Sequence, residues 1–142
     1  ANTILNECIV MNGEVIKVTR EELIANKWKE IKDYRTKKIY DGVYIASVNN
    51  WVQTDMDTQQ QIACIYQLVL AGVNPGTVKW KLMNNEMHDM TDTLVREIFL
   101  AIFKQVQAIF TAAEYARMRL EVADDILNFD YKTGFPETYT KE

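Results

Sequence analysis

A regular apolar seam near the carboxyl end constrains the fold of this chain more than any other feature. Successive seam residues are separated by four and then three positions, and they are Val95, Phe99, Ile102, Val106, Ile109, Ala113, Ala116, Leu120, Ala123 and Leu127. This alternation predicts one long helix with the heptad pattern of a coiled coil. Unbroken, such a helix would be roughly 50 Å long at 1.5 Å per residue.

The partner of this seam is left open by the sequence. It can meet a helix of another subunit, or it can pack on the chain's own domain. We take the eight seam residues from Val95 to Leu120 as a candidate interface. Within it, Ala113 and Ala116 allow a partner to approach closely but bury little area.

Local signals predict two shorter helices before the seam. Thr19 followed by Glu22 is a capping box that starts the first helix, and this helix is expected to end near Asp41-Gly42. Asp55 or Asp57 is expected to cap the second helix, which closes at Gly72, with a loop over residues 72–76.

Turn residues and alternating patterns predict the strands. Asn12-Gly13 between two apolar stretches predicts a hairpin over residues 8–18. A second hairpin is expected around Asn49-Asn50, and residues 77–82 alternate as a half-buried strand, after which Asn84-Asn85 turns the chain. We therefore predict an α+β fold in which small hairpins and a strand pack against three helices, the last of them long.

Length and composition favour one domain over residues 1–142. With 48% hydrophobic and 25% charged residues, the chain has the balance of an ordinary globular protein. Its parts are an N-terminal hairpin over 1–18, an α+β core over 19–127 and an irregular C-terminal arm over 128–142.

The net charge argues against a nucleic-acid partner, and the lengths of the apolar runs argue against a membrane span. A net charge of −4 and a pI near 5.1 disfavour nucleic-acid binding, which needs an excess of Lys and Arg. The longest apolar run, residues 98–103, is far shorter than the roughly 20 residues that span a bilayer. No secretory signal is visible, so we expect synthesis in a reducing cytoplasm without membrane insertion.

No residue pattern predicts catalysis or a metal site. His88 is the single histidine, and we interpret it as a turn residue before the last helix. Cys8 and Cys64 are predicted to be buried thiols. Asp55 and Asp57 could hold a divalent metal, but capping of a helix explains them better. We expect no catalytic residues, no cofactor and no metal, and hence no enzyme.

The aromatic residues form two sets. Trp28, Trp51 and Trp80 are predicted core anchors, with interface contacts or sugar binding as the alternatives. The second set lies in the arm, where it is expected to dock onto a neighbouring subunit, and consists of Tyr131, Phe135 and Tyr139.

Several short motifs together carry a family resemblance. They are Trp28 with Lys32 and Arg35, Gly42-Val43, Trp51 with Thr54-Asp55, Gln59-Gln60-Gln61-Ile62, Trp80-Lys81, Asn84-Asn85 and Thr91. This pattern over residues 28–125 resembles DUF4376, a domain of unknown function found in many phage tail proteins. The N-terminal hairpin lies outside the pattern.

The resemblance implies a component of a phage virion tail. We expect a non-enzymatic structural or assembly protein that binds other tail or tail-fibre proteins and forms a homo-oligomer. The alternatives are a transient tail-fibre assembly chaperone and a small carbohydrate- or metal-binding module.

Overall fold

The computed structural model describes residues 8–11, 13–74 and 78–141 of the chain, which folds as α+β in these ranges. The helices are α1 (Arg20–Ile39), α2 (Met56–Leu70) and α3 (Asp92–Glu121). The strands are β1 (Cys8–Met11), β2 (Glu14–Lys17), β3 (Val43–Ile45), β4 (Asn50–Val52), β5 (Lys79–Lys81) and β6 (Met87–Asp89). The predicted fold class, with its three helices and long last helix, is confirmed.

The first two hairpins lie where the turn residues predicted them. Strands β1 and β2 pair antiparallel from Cys8 opposite Lys17 to Met11 opposite Glu14, and Gly13 in the turn has a φ of 81°. Asn12, the other residue of this predicted turn, lies outside the described residues. Strands β3 and β4 are joined by a 3₁₀ turn that ends at Asn49 with a φ of 47°.

The third hairpin confirms one expectation and corrects another. The strand predicted over residues 77–82 is observed as β5, and Thr77 lies outside the described residues. Strand β6 pairs with it, and His88 lies opposite Trp80 on a strand rather than in a turn. No sequence pattern predicts β6, because this strand is three residues long and has no β-branched residue.

Side-chain caps fix the starts of the first two helices. The Glu22 N–H donates to Thr19 Oγ1 at 3.2 Å and the Thr19 N–H donates to Glu22 Oε2 at 3.3 Å, so the predicted capping box is present. Asp55, not Asp57, caps α2, because its Oδ1 accepts from the Thr58 N–H at 2.8 Å.

The end of α3 differs from the prediction. The helix ends at Glu121, so Ala123 and Leu127 of the seam are not helical. The Arg20 guanidinium donates to the carbonyls of Glu121 and Ala123 at 3.0 and 2.9 Å. These carbonyls are thus satisfied by a side chain instead of by another helical turn.

Contacts divide the chain into two compact units, each with its own buried core. The first unit covers residues 1–35 and 110–135, and its buried apolar residues are Leu23, Ile31, Ala113, Ala116, Leu120 and Ile126. The second unit covers residues 36–109 and 136–142, and its buried apolar residues include Val43, Ile45, Val52, Ile62, Val69, Leu82, Met90, Leu94, Val95, Ile98 and Ile102. The expectation of one domain over 1–142 stays a prediction.

The heptad seam of α3 faces the interior of the chain. Val95, Ile109, Ala113, Ala116 and Leu120 are fully buried and Ile102 is 8% exposed, while Phe99 and Val106 are partly buried. Packing within the chain accounts for the burial of these side chains. Their assignment to an intermolecular contact stays a prediction.

Candidate functional site

The residues considered for metal binding or catalysis lie apart or have structural roles. Asp55 accepts hydrogen bonds from the backbone and the hydroxyl of Thr58 at 2.8 and 3.0 Å, and Asp57 is exposed in the first turn of α2. His88 Nε2 lies 3.8 Å from Glu86 Oε2. Among the described residues, no three His, Cys, Asp or Glu side chains are grouped so as to hold a metal ion.

Cys64 is exposed, which corrects the expectation of a buried thiol. It lies on α2 two positions after the buried Ile62. At about 100° per residue this places the thiol on nearly the opposite side of the helix. The side chain of Cys8 lies outside the described residues.

Two of the arm aromatics contact Tyr34 in the first unit. The ring of Tyr131 lies 5.6 Å from the Tyr34 ring at 68°, and the ring of Phe135 lies 4.9 Å from it at 81°. Lys132 Nζ lies 5.5 Å from the centre of the Tyr34 ring. These edge-to-face contacts hold the arm against α1 of the same chain.

The last residues of the arm belong to the second unit. The Tyr139 N–H donates to the Asp41 carbonyl at 2.9 Å, and its ring lies 6.2 Å from the Trp51 ring. An open hollow of about 420 Å³ lies beside Trp51. Its lining residues are Val43, Tyr44, Trp51, Gln105 and Glu137. Tyr139 is thus partly covered by contacts within its own chain.

The three tryptophans are half-buried. Trp28 packs against the core of the first unit, with Lys32 Nζ 5.8 Å and the Arg35 guanidinium 6.0 Å from its ring centre. Trp80 packs against the core of the second unit. The Trp51 ring contacts the rings of Tyr44 and Tyr139, whose centres lie 5.6 and 6.2 Å away.

The second unit has an exposed apolar groove between helices α2 and α3. It consists of two open hollows, of about 400 and 250 Å³, that share Phe99 and Phe103. The residues that line this α2–α3 groove are Gln59, Ile62, Ala63, Tyr66, Arg96, Phe99, Leu100, Ile102, Phe103 and Val106.

Helical spacing brings these side chains together. From α2 the groove takes Gln59, Ala63 and Tyr66, at spacings of four and three. From α3 it takes Arg96, Phe99, Phe103 and Val106, at spacings of three, four and three. Residues three and four apart share one side of a helix, so each helix forms one wall.

The groove has an ordered aromatic pair and an exposed apolar rim. The rings of Tyr66 and Phe99 are stacked, 4.1 Å apart at 2°. Leu100 is 50% exposed and Phe103 is 57% exposed. Arg96 is exposed at one end, and its guanidinium makes no hydrogen bond or ion pair with any residue in the described ranges.

Sequence reasoning found only part of this site. The seam includes Phe99 and Val106, but no sequence pattern singles out Tyr66, Leu100 or Phe103. The signal was a surplus of apolar residues in α3: the run over 98–103 has more of them than one buried face requires. The seam continues from Ile102 to Val106, so Phe103 lies outside it.

The fold and the groove define a class, a small α+β protein with an open apolar groove between two of its helices. The chain belongs to the family described as a domain of unknown function (DUF4376), whose model matches residues 19–133. The match includes α1, both helices of the groove and the hairpins between them, and it excludes β1 and β2. The suspected family is therefore confirmed.

Neither the comparison with curated proteins nor that with solved structures gave a match. Over the described ranges, no helix combines the length and the apolar character needed to cross a membrane.

Proposed function

We propose that this chain is a non-enzymatic, protein-binding component of a bacteriophage tail, and that the α2–α3 groove is its docking surface. The observation that carries the proposal is the exposure of large apolar side chains around one hollow, with Leu100 and Phe103 half or more exposed. Contiguous exposed apolar surface on a small protein marks interaction sites.

The energetics favour a partner over this groove. Full burial of a Leu or Phe side chain contributes about 1.5–3 kcal/mol relative to exposure, so half-exposed Leu100 and Phe103 leave part of that stabilisation unused. Aromatic residues and Arg are enriched in protein interfaces, and Tyr66, Phe99, Phe103 and Arg96 match that composition.

The assignment to a phage tail rests on the family. The motifs that resemble DUF4376 in phage tail proteins lie within the matched residues 19–133. The partner proposed on this basis is another tail or tail-fibre protein, and the place of action is the virion tail. Self-association into a closed homo-oligomer is part of the proposal, and light scattering after size exclusion measures it.

Co-purification tests the docking surface directly. The tagged chain is produced together with each tail and tail-fibre protein encoded by the same phage genome. We expect one of them to co-purify with the wild type and to be lost with Phe103→Ser. The matched control is Lys104→Ser, on the neighbouring exposed position of α3. Equal retention by both variants would show that the groove is not the docking surface.

Mass spectrometry of purified virions separates a structural part from an assembly chaperone. We expect peptides of this chain in the particle. Its absence, together with binding to a fibre protein in the co-purification, would assign it to fibre assembly instead.

The hollow beside Trp51 favours one alternative, a carbohydrate site. Tyr44 and Trp51 offer aromatic rings, and Gln105 and Glu137 offer polar groups that could meet sugar hydroxyls. We expect no change in melting temperature across a panel of sugars and divalent cations. A saturable rise that Trp51→Ala abolishes would favour the carbohydrate module.

A further inference from the structure

We infer that the α2–α3 groove binds an amphipathic helix of another polypeptide that carries an acidic side chain beside its apolar face, and that Arg96 pairs with this carboxylate. The inference rests on the proposed function, because it names the partner chemistry of the same docking surface.

The shape of the groove fits a helix. Its walls are two helices, and the lining residues of α3 extend from Arg96 to Val106. Ten residues at 1.5 Å each give a length of about 15 Å, which about three turns of a partner helix would cover. Apolar faces of amphipathic helices bind such grooves through residues at helical spacing.

The floor and rim of the groove provide the apolar part of recognition. The stacked rings of Tyr66 and Phe99 are fixed by each other, 4.1 Å apart, so little side-chain freedom is lost when a partner covers them. Phe103 is the most exposed aromatic residue of the groove, and removing it from water gives the largest gain on binding.

The charge of the groove selects the polar part of the partner. Among the lining residues Arg96 is the only charged one, since α2 contributes Gln59, Ile62, Ala63 and Tyr66. Its guanidinium is unpaired within the described residues, and a guanidinium binds a carboxylate through two parallel hydrogen bonds. A Glu or Asp next to the apolar face of the partner would satisfy it.

The same charge disfavours other occupants. A second copy that used the same groove about a two-fold axis would bring a second Arg96 to the contact, and like charges repel. One cation in the lining is also too few for a polyanion or an anionic lipid surface, which need several.

Selection from a display library tests the inference. The probe is a library of amphipathic helices about 18 residues long, or roughly five turns, with fixed apolar positions and randomised flanking positions. The targets are the full chain and three variants, Arg96→Glu, Lys104→Glu and Phe103→Ser. Circular dichroism checks that each variant is folded.

We expect peptides selected on the wild type to carry Asp or Glu at one flanking position, and those selected on Arg96→Glu to carry Lys or Arg there. Lys104→Glu, a charge reversal outside the groove lining, should select the same peptides as the wild type. A peptide from the wild-type selection should bind Arg96→Glu at least about tenfold more weakly, and exchange of its Glu for Lys should restore binding.

The outcomes separate this inference from the proposed function. If wild type and Arg96→Glu select the same charges while Phe103→Ser selects nothing, the groove docks helices but Arg96 does not read an acid, and the inference is wrong. If no peptide is enriched on the wild type above the Phe103→Ser background, the groove does not bind a helix and the inference is wrong, whereas the proposed function is decided by the co-purification. Dimerisation that blocks the peptides would assign the groove to a second copy and overturn the inference.

Discussion

Two aromatic regions of this protein contain the same residue types, but one is covered by the chain and the other is open to solvent. In the first unit, Tyr34 is contacted by Tyr131 and Phe135 from the arm. In the second unit, the stacked pair of Tyr66 and Phe99 lies in an open groove beside Phe103, which is 57% exposed. We call these regions the closed cluster and the open groove.

The comparison shows that an aromatic surface on a helix is a partner site only where the chain does not cover it. Directly before the arm, Lys27 Nζ donates to the Leu127 carbonyl at 3.1 Å. Arg119 adds its guanidinium over the Phe129 ring at 5.5 Å. We therefore expect the closed cluster to contribute to stability and the open groove to contribute to binding.

The largest effect on stability is expected in the core of the first unit. Leu120 is fully buried, and its replacement in Leu120→Ala should lower the free energy of unfolding by about 3 kcal/mol through lost burial and a cavity. Urea unfolding followed by circular dichroism measures this. The control is Met118→Ala on the same helix, 56% exposed, for which a change below about 0.5 kcal/mol is expected. Equal losses would show that α3 does not bury this face.

A smaller effect is expected where the arm closes the cluster. Tyr34→Ala removes two edge-to-face contacts, each worth about 0.5–1.5 kcal/mol, so a total loss of about 1–3 kcal/mol should follow. Hydrogen exchange of residues 129–135 should rise with it. Tyr115→Ala, at a 62% exposed position of the same unit, is the control and should leave exchange in the arm unchanged. An arm equally protected in Tyr34→Ala would mean that these rings do not hold it.

In the open groove, Phe103→Ser should lower the free energy of unfolding by about 1 kcal/mol or less, because 57% of the side chain is already exposed to water. The same urea experiment measures this against Tyr34→Ala. A loss near 2 kcal/mol would show that the groove is packed in solution, which would remove the distinction between the two regions.

The smallest effect concerns the response of the arm to acid. The side-chain amide and the backbone N–H of Asn128 lower the pKa of Asp125, and the hydroxyl of Thr133 and the N–H of Lys132 lower the pKa of Asp130. Because both pKa values are depressed, this stabilisation is present above the ordinary pKa of 3.8 and is lost as the pH falls through the folded values.

Carboxyl chemical shifts in an NMR titration report these pKa values. In Asn128→Ala the pKa of Asp125 should rise toward its ordinary value, while that of Asp130 stays low and serves as the internal control. A rise of both would mean that the arm has detached as a whole.

Much of the local structure could be read from the sequence because its causes are local. Thr19 with Glu22 and Asp55 with Thr58 lie within one helical turn, so the caps of α1 and α2 follow from neighbouring residues. The periodic seam likewise predicted a long helix at the place of α3. The strand β6 was missed because three residues without a β-branched side chain give no periodic signal.

The candidate site was predicted less well. The sequence identified which residues of α3 are apolar but assigned Phe99 and Val106 to the seam and overlooked Phe103 and Leu100 as exposed. Tyr66 and Phe99 are 33 positions apart, and no pattern within α2 or α3 reveals that their rings stack. Burial of Ala113 and Ala116 inside the chain was one of two alternatives that heptad spacing allows.

The sequence by itself determined the family, the three helices and the first two turns, because capping, glycine conformation and hydrophobic period act over a few residues. Tertiary structure alone decided that the seam faces inward, that the Glu121 carbonyl at the end of α3 accepts from Arg20, and that Cys64 is exposed. It also decided which aromatic surface the arm covers and which stays open. These outcomes depend on contacts between residues far apart in the chain, and only the packing of the folded molecule brings those residues together.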